Sequence, residues 1–70
     1  MSTLTDTPGL SPRQHDVLVL MSGGVRAKEI AARLGLSETT VRNHVRLLLR
    51  RLECHSQLEA VARAREWRLL

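Results

Sequence analysis

An all-α fold follows from three features of this 70-residue chain. Leu, Ala, Arg and Glu dominate, with one Trp and no Phe or Tyr, so the residues that long strands prefer are scarce. Val41, Val45, Leu48 and Leu52 recur at i, i+4, i+7 and i+11, the spacing of one apolar stripe on a helix. Ser11, Ser37 and Ser56 stand where helix N-caps belong, while Gly23-Gly24 and Gly35 stand where helices stop. Hydrophobic residues are 43% of the chain, enough for a small helical core. A domain this short buries only about 60% of its unfolded surface, so that core must be efficient. The regular apolar spacing argues against a disordered basic chain.

The elements follow in order. Residues 1–9, MSTLTDTPG, are polar and turn-rich without a period, and read as a flexible tail or the remnant of a linker. Ser11, with Pro12 at the first helical position and Gln14 three residues on, makes a capping box. Val17, Leu18, Leu20 and Met21 are that helix's inward face, and Gly23-Gly24 ends it. A second helix is predicted from about Ala27 to Leu34, with Ile30, Ala31 and Leu34 inward and Gly35 free to take positive φ. Arg26 is a poor N-cap for it. Ser37 caps a third helix that continues to about Leu52, and Glu38 complements its N-terminal dipole. A fourth helix opens on Ser56 and Glu59, a second capping box, and carries Leu58, Val61, Ala62 and Trp67.

Charge gives the first functional clue. The net charge is +4, and ten of the eleven cations are Arg, Lys28 being the exception. Arg26, Lys28, Arg33, Arg42, Arg46, Arg50 and Arg51 share one stretch with only Glu29 and Glu38 against them. Such a balance suits a polyanion, most simply DNA or RNA. Arg42, Arg46 and Arg50 recur at i, i+4 and i+8 and form a cationic row on a different face from the apolar stripe. A short helix, a Gly turn and a second helix that is basic on its free side make a helix-turn-helix pattern over about residues 27–46.

Within that pattern Arg42 and Arg46 lie one turn apart in the half of the helix that enters a major groove. Arginine there can donate twice to guanine O6 and N7. Asn43 beside them can pair an adenine or a phosphate. The same spacing also suits a solvated arginine face with i,i+4 contacts. Ser37, Thr39 and Thr40 bring hydroxyls and amides to a helix N-terminus, a ready phosphate site, while Lys28, His44 and Arg50 suit backbone contact. No cofactor is expected and no metal site, because His15, His44 and His55 lack ligand spacing. No carboxylate pair, nucleophile–base pair or Gly-rich phosphate loop points to an enzyme. Cys54 is the only cysteine, so no intrachain disulfide can form, and it reads as a buried small apolar residue in a reducing compartment. No apolar run is long enough to span a membrane, so a cytoplasmic location without membrane partners is expected.

Leu10-Ser-Pro-Arg, Val17-Leu18, Lys28-Glu-Ile-Ala31, Leu34-Gly-Leu-Ser37, Thr40-Val-Arg-Asn-His-Val45, Leu52 and Glu59-Ala-Val61 together closely resemble the LuxR-type (GerE/NarL/FixJ) helix-turn-helix domain. The resemblance covers residues 10–70. It implies a tetrahelical all-α fold unrelated to winged helices, regulation of transcription in bacteria, and dimers formed on DNA through the fourth helix. By position, Arg42, Asn43 and Arg46 resemble the family's base-facing residues. Lys28, Thr39, Thr40 and His44 resemble its backbone-facing ones. Leu58, Val61, Ala62 and Arg65 resemble its dimer surface. Glu53 stands where the family often has Gly, and Arg26-Ala27 replaces a more usual Ser/Thr-Asn pair.

The expected function is therefore sequence-specific binding of double-stranded DNA, at an inverted-repeat operator, by a weak or DNA-dependent homodimer that regulates transcription, with RNA polymerase as a further partner. Two rivals are a sigma-factor-like promoter reader and a helical protein-interaction module that does not touch DNA. A capped fourth helix after Leu52 favours the first reading over the sigma-factor one.

Overall fold

A computed structural model describes residues 10–70, so the expectation of a tail at 1–9 lies outside the described residues. Four helices follow in order: α1 Pro12–Ser22, α2 Ala27–Leu34, α3 Glu38–Arg51 and α4 Gln57–Glu66. There is no strand among the described residues.

Three of the four helices start on a serine. The Ser11 hydroxyl accepts from the Gln14 amide at 3.1 Å, and the Gln14 side chain accepts from the Ser11 amide at 3.0 Å, completing the capping box. Ser37 Oγ accepts from the Thr40 amide at 3.0 Å, and Ser56 Oγ accepts from the Glu59 amide at 3.1 Å. At α4 the box is not reciprocal as expected. The Glu59 carboxylate accepts from the His55 amide at 2.8 Å, one residue earlier than Ser56. The N3 side chain here satisfies a donor just before the helix instead of the cap residue's own amide. α2 begins at Arg26 with no side-chain cap, as its sequence predicts.

All four helices end alike. A residue with positive φ follows the last turn: Gly24 (85°), Gly35 (68°), Glu53 (56°) and Arg68 (57°). The next residue is apolar, and its amide reaches back five residues into the helix. Val25 bonds Leu20 O, Leu36 bonds Ala31 O, Cys54 bonds Leu49 O and Leu69 bonds Ala64 O, at 2.8–3.1 Å. These are Schellman turns, which satisfy stranded carbonyls and fold the following side chain back against the bundle. Glycine takes that conformation freely; Glu53 and Arg68 pay about 1–2 kcal/mol for their Cβ. The two glycine turns were visible in the sequence. The other two carry no such marker.

α3 is the spine, packed chiefly on α2 and α1. Val41, Leu48 and Leu52 are fully buried, with Val17, Leu18 and Ile30 against them, and Val45 half-buried at the margin of the stripe. Leu20, expected inward on α1, is likewise only half-buried. α4 closes the bundle differently from expectation. Its inward residues are Ala60 and Ala64, both fully buried, joined by Leu69 from the turn that follows. Alanine lets the α4 backbone lie close against its neighbours, and the turn then supplies the larger side chain. Leu58 faces outward at 82% exposure, and Trp67 is also exposed. The His15 ring Nε2 pairs with the Leu69 carbonyl at 2.9 Å and ties the end of the chain to α1.

Two outcomes are expected. Leu48→Ala should cost about 2–5 kcal/mol, enough to unfold a domain of this size or nearly so. A thermal melt followed by circular dichroism near wild type would contradict the packing of α3. Conversely, Glu53→Gly and Arg68→Gly should each stabilise by about 0.5–1 kcal/mol, after allowing for glycine's greater freedom in the unfolded chain. That corresponds to a rise in Tm of about 4 °C. A fall in Tm in both variants would contradict the left-handed turns.

Candidate nucleic-acid interface

The two faces of α3 separate as its sequence demands. With Val41, Leu48 and Leu52 in the core, Thr39, Arg42, Asn43, Arg46 and Arg50 are left exposed. At about 1.5 Å per residue, the 14 residues of α3 make a rod of the length a major groove accepts. Its N-terminal half follows directly on the Gly35 turn, so α2 fixes the angle at which it stands out.

The arginines are held by neighbours on the same helix. Arg42 pairs with the Glu38 carboxylate one turn earlier. Arg46 donates to Asn43 Oδ1 at 3.2 Å. Such exposed pairs are worth about 0.2–0.5 kcal/mol each. They keep the guanidinium groups extended along the helix and cost little to exchange for another acceptor.

The same helix-turn-helix segment holds two helix N-termini. At α3 the Ser37 hydroxyl is already engaged twice, accepting from the Thr40 amide and donating to Thr40 Oγ1 at 2.9 Å. Its contribution is to fix the helix start, and Thr39 is the exposed hydroxyl there. At α2 no side chain caps the first turn, and exposed Lys28 lies within it. The positive end of a helix dipole thus sits beside a lysine with its amides unclaimed by a cap. Glu29, on the same turn, is occupied by Arg33 at 3.1 Å.

His44 is half-buried, and its Nδ1 is shielded with no hydrogen-bond partner. Only Nε2 is left to reach a ligand, which fits a rim position better than the middle of an interface. Cys54 is buried, and its thiol donates to the Leu52 carbonyl at 3.3 Å. Burial raises its pKa, outweighing the opposing pull of Arg63. The thiol therefore stays protonated and serves packing. Among the described residues no three His, Cys, Asp or Glu side chains come together as a metal site would need. No helix there is long and apolar enough to cross a membrane.

On α4, Leu58, Val61, Ala62 and Arg65 recur at i, i+3, i+4 and i+7 on the side opposite Ala60 and Ala64. Leu58, Ala62 and Arg65 are exposed and Val61 is half-buried. This leaves an apolar patch with an arginine at its edge, remote in sequence from the cationic row. Sequence reasoning missed Arg63. Its guanidinium reaches back to the end of α3, donating to Leu52 O at 2.6 Å and Glu53 O at 3.2 Å. One of two arginines in the last turn of an amphipathic helix gives no sign of such a reach.

Comparison with known proteins agrees with this architecture. The model of the family described as bacterial regulatory proteins, luxR family, matches residues 8–64. The chain is 39% identical over 57 residues to the transcriptional regulatory protein DesR of Bacillus subtilis, covering 81% of this chain and 29% of DesR. It is 39% identical over 59 residues to the nitrate/nitrite response regulator protein NarL of Escherichia coli, covering 84% of this chain and 27% of NarL. Among solved structures it resembles the response regulator ChrA of a heme-sensing two-component system. There the TM-score is 0.85 at 31% identity, over 89% of this chain and 31% of that one. The chain thus spans less than a third of each of these proteins. It belongs to the luxR family of bacterial regulatory proteins and carries that family's helix-turn-helix domain, the DNA-binding domain of a transcription regulator.

Proposed function

We propose that this domain binds double-stranded DNA by laying the N-terminal half of α3 in the major groove. The observation that carries this is the exposed row of Arg42, Arg46 and Arg50 on a helix whose opposite side buries Val41, Leu48 and Leu52 in the core. Arg42, Asn43 and Arg46 read base edges. Each arginine gives up its partner on the helix and donates its fork to a guanine. Lys28 and the open N-terminus of α2, with Thr39, Thr40, His44 and Arg50, contact phosphates and set the register. Ser37 acts through its cap, holding the amides of α3 in place. The role is binding, with no chemical step, and it is exercised in the cytoplasm, where the DNA and RNA polymerase are.

Two copies of the chain meet on an inverted repeat through Leu58, Val61, Ala62 and Arg65 of α4. The exposed Leu58 supports this reading, since it serves no purpose in the fold. A patch of one short helix buries too little for an obligate dimer, so pairing is weak or DNA-dependent. A two-fold arrangement sets the recognition helices about one DNA turn apart, near 10 bp centre to centre.

Base readers and phosphate contacts can be told apart. Arg42→Ala or Arg46→Ala should weaken cognate binding by about 1–3 kcal/mol and relax preference at one or two base pairs. Lys28→Ala should weaken binding to all sequences alike and make the log–log salt slope shallower by about 1. Competition titrations with cognate and random duplexes at several salt concentrations measure both. Equal losses on cognate and random DNA for the arginine variants would remove them from base reading.

Pairing has its own test. Val61→Glu places an unpaired charge in the α4 patch. It should leave the domain helical and single half-site affinity unchanged while abolishing cooperative binding to a two-half-site operator. Gel-shift titration showing wild-type cooperativity in the variant would exclude α4 as the pairing surface.

A further inference from the structure

We propose that Arg63 is a positioning residue that fixes the angle between α3 and α4 and so sets the half-site spacing the dimer accepts. The proposal rests on the reading above, in which α3 meets DNA and α4 meets its copy.

Arg63 lies on α4, yet its guanidinium serves the end of α3. Nη1 donates to Leu52 O at 2.6 Å and to Glu53 O at 3.2 Å. Nη2 stands 3.8 Å from the Glu59 carboxylate. The Trp67 ring covers the group, with the guanidinium carbon 5.7 Å from its centroid. The side chain is 29% exposed, so these contacts are made in a partly desolvated setting. Leu52 and Glu53 are the cap and the left-handed residue of α3. Their carbonyls lie at the negative end of its dipole, where a cation is favoured.

Three features make this contact the joint between the two helices. Among the described residues, Arg63 makes the only side-chain hydrogen bonds that tie α4 to the end of α3. The apolar contact of α4 with the bundle is mostly alanine, Ala60 and Ala64, whose small smooth surface limits sliding poorly. The turn between them is bent at Glu53, a residue whose positive φ is strained. A planar guanidinium that donates from Nη1 to two successive carbonyls, faces Glu59 with Nη2 and lies over a ring is held at several points of one rigid plane, which a single ammonium does not offer.

The consequence concerns DNA geometry. Inserting one base pair between half-sites moves them apart by about 3.4 Å and turns them by about a tenth of a turn. A rigid α3–α4 joint cannot follow that change, whereas a loosened one can.

The experiment is a selection of bound duplexes from a random pool, followed by titration of the enriched operator and versions with one base pair added or removed between half-sites. Wild type, Arg63→Met and Arg63→Lys are compared, and each fold is checked by its melt. Wild type should require one spacing. Arg63→Met should keep the half-site sequence, half-site affinity and salt slope, but lose the spacing preference; Arg63→Lys should fall between. Unchanged spacing preference in a folded Arg63→Met would overturn the proposal. So would a shallower salt slope on single half-sites, which would make Arg63 a phosphate contact. If Arg63→Met melts, Arg63→Lys decides. Its loss of spacing preference supports the joint, while retained preference, or melting of both variants, overturns it. Enrichment of unpaired half-sites by wild type would instead overturn the dimer reading, and it shows before any variant is made.

Discussion

Helices of 8 to 14 residues are marginal on their own in water, and this domain has four of them with no Phe or Tyr to pack between. What holds them is the way each one ends. Gly24, Gly35, Glu53 and Arg68 turn the chain through the left-handed region, and Val25, Leu36, Cys54 and Leu69 are folded back behind them. Each turn satisfies carbonyls that a short helix would otherwise expose, and each returns a side chain to the bundle. At the two turns without glycine, a side chain from another element lends support. Arg63 bonds the carbonyls of Leu52 and Glu53, and His15 pairs with that of Leu69.

That scheme leaves α3 fixed at both ends and along one side. Ser37 holds its start, the Glu53 turn and Arg63 hold its finish, and Val41, Leu48 and Leu52 hold its length. Nothing further is asked of its outer row, which is why arginines can stand there at no cost to the fold. Their pairs with Glu38 and Asn43 are weak enough to exchange. The proposed DNA interface is therefore the face that the packing leaves unused, and the uncapped start of α2 is a second anion-seeking feature in the same helix-turn-helix segment.

Most of the fold was legible because its signals are local. The serine caps, the two glycine stops and the period of α3 each sit within a few residues. The cationic row is likewise visible, because core and free face of one helix are complementary. α4 was harder to read. Its alanines carry little pattern beside the larger Leu58 and Val61, yet Ala60, Ala64 and the distant Leu69 do the packing. The turns at Glu53 and Arg68 lack glycine, and their support comes from residues ten or more positions away. Glu59 bonds the amide of His55 instead of that of Ser56 at a cap whose backbone is more extended than that of Ser11, a difference of conformation that residue types alone do not reveal.

The most direct test of the account is a titration of duplex DNA, carrying the selected operator half-site, into the isotopically labelled chain, followed by backbone amide resonances. The account predicts shifts confined to the first turn of α2 and to α3 from Thr39 to Arg50. The amides of Val25, Leu36, Cys54 and Leu69 should stay in place, because the turns they close are the frame on which the interface stands. Shifts centred on the outer face of α1, or loss of the four turn resonances on binding, would contradict it.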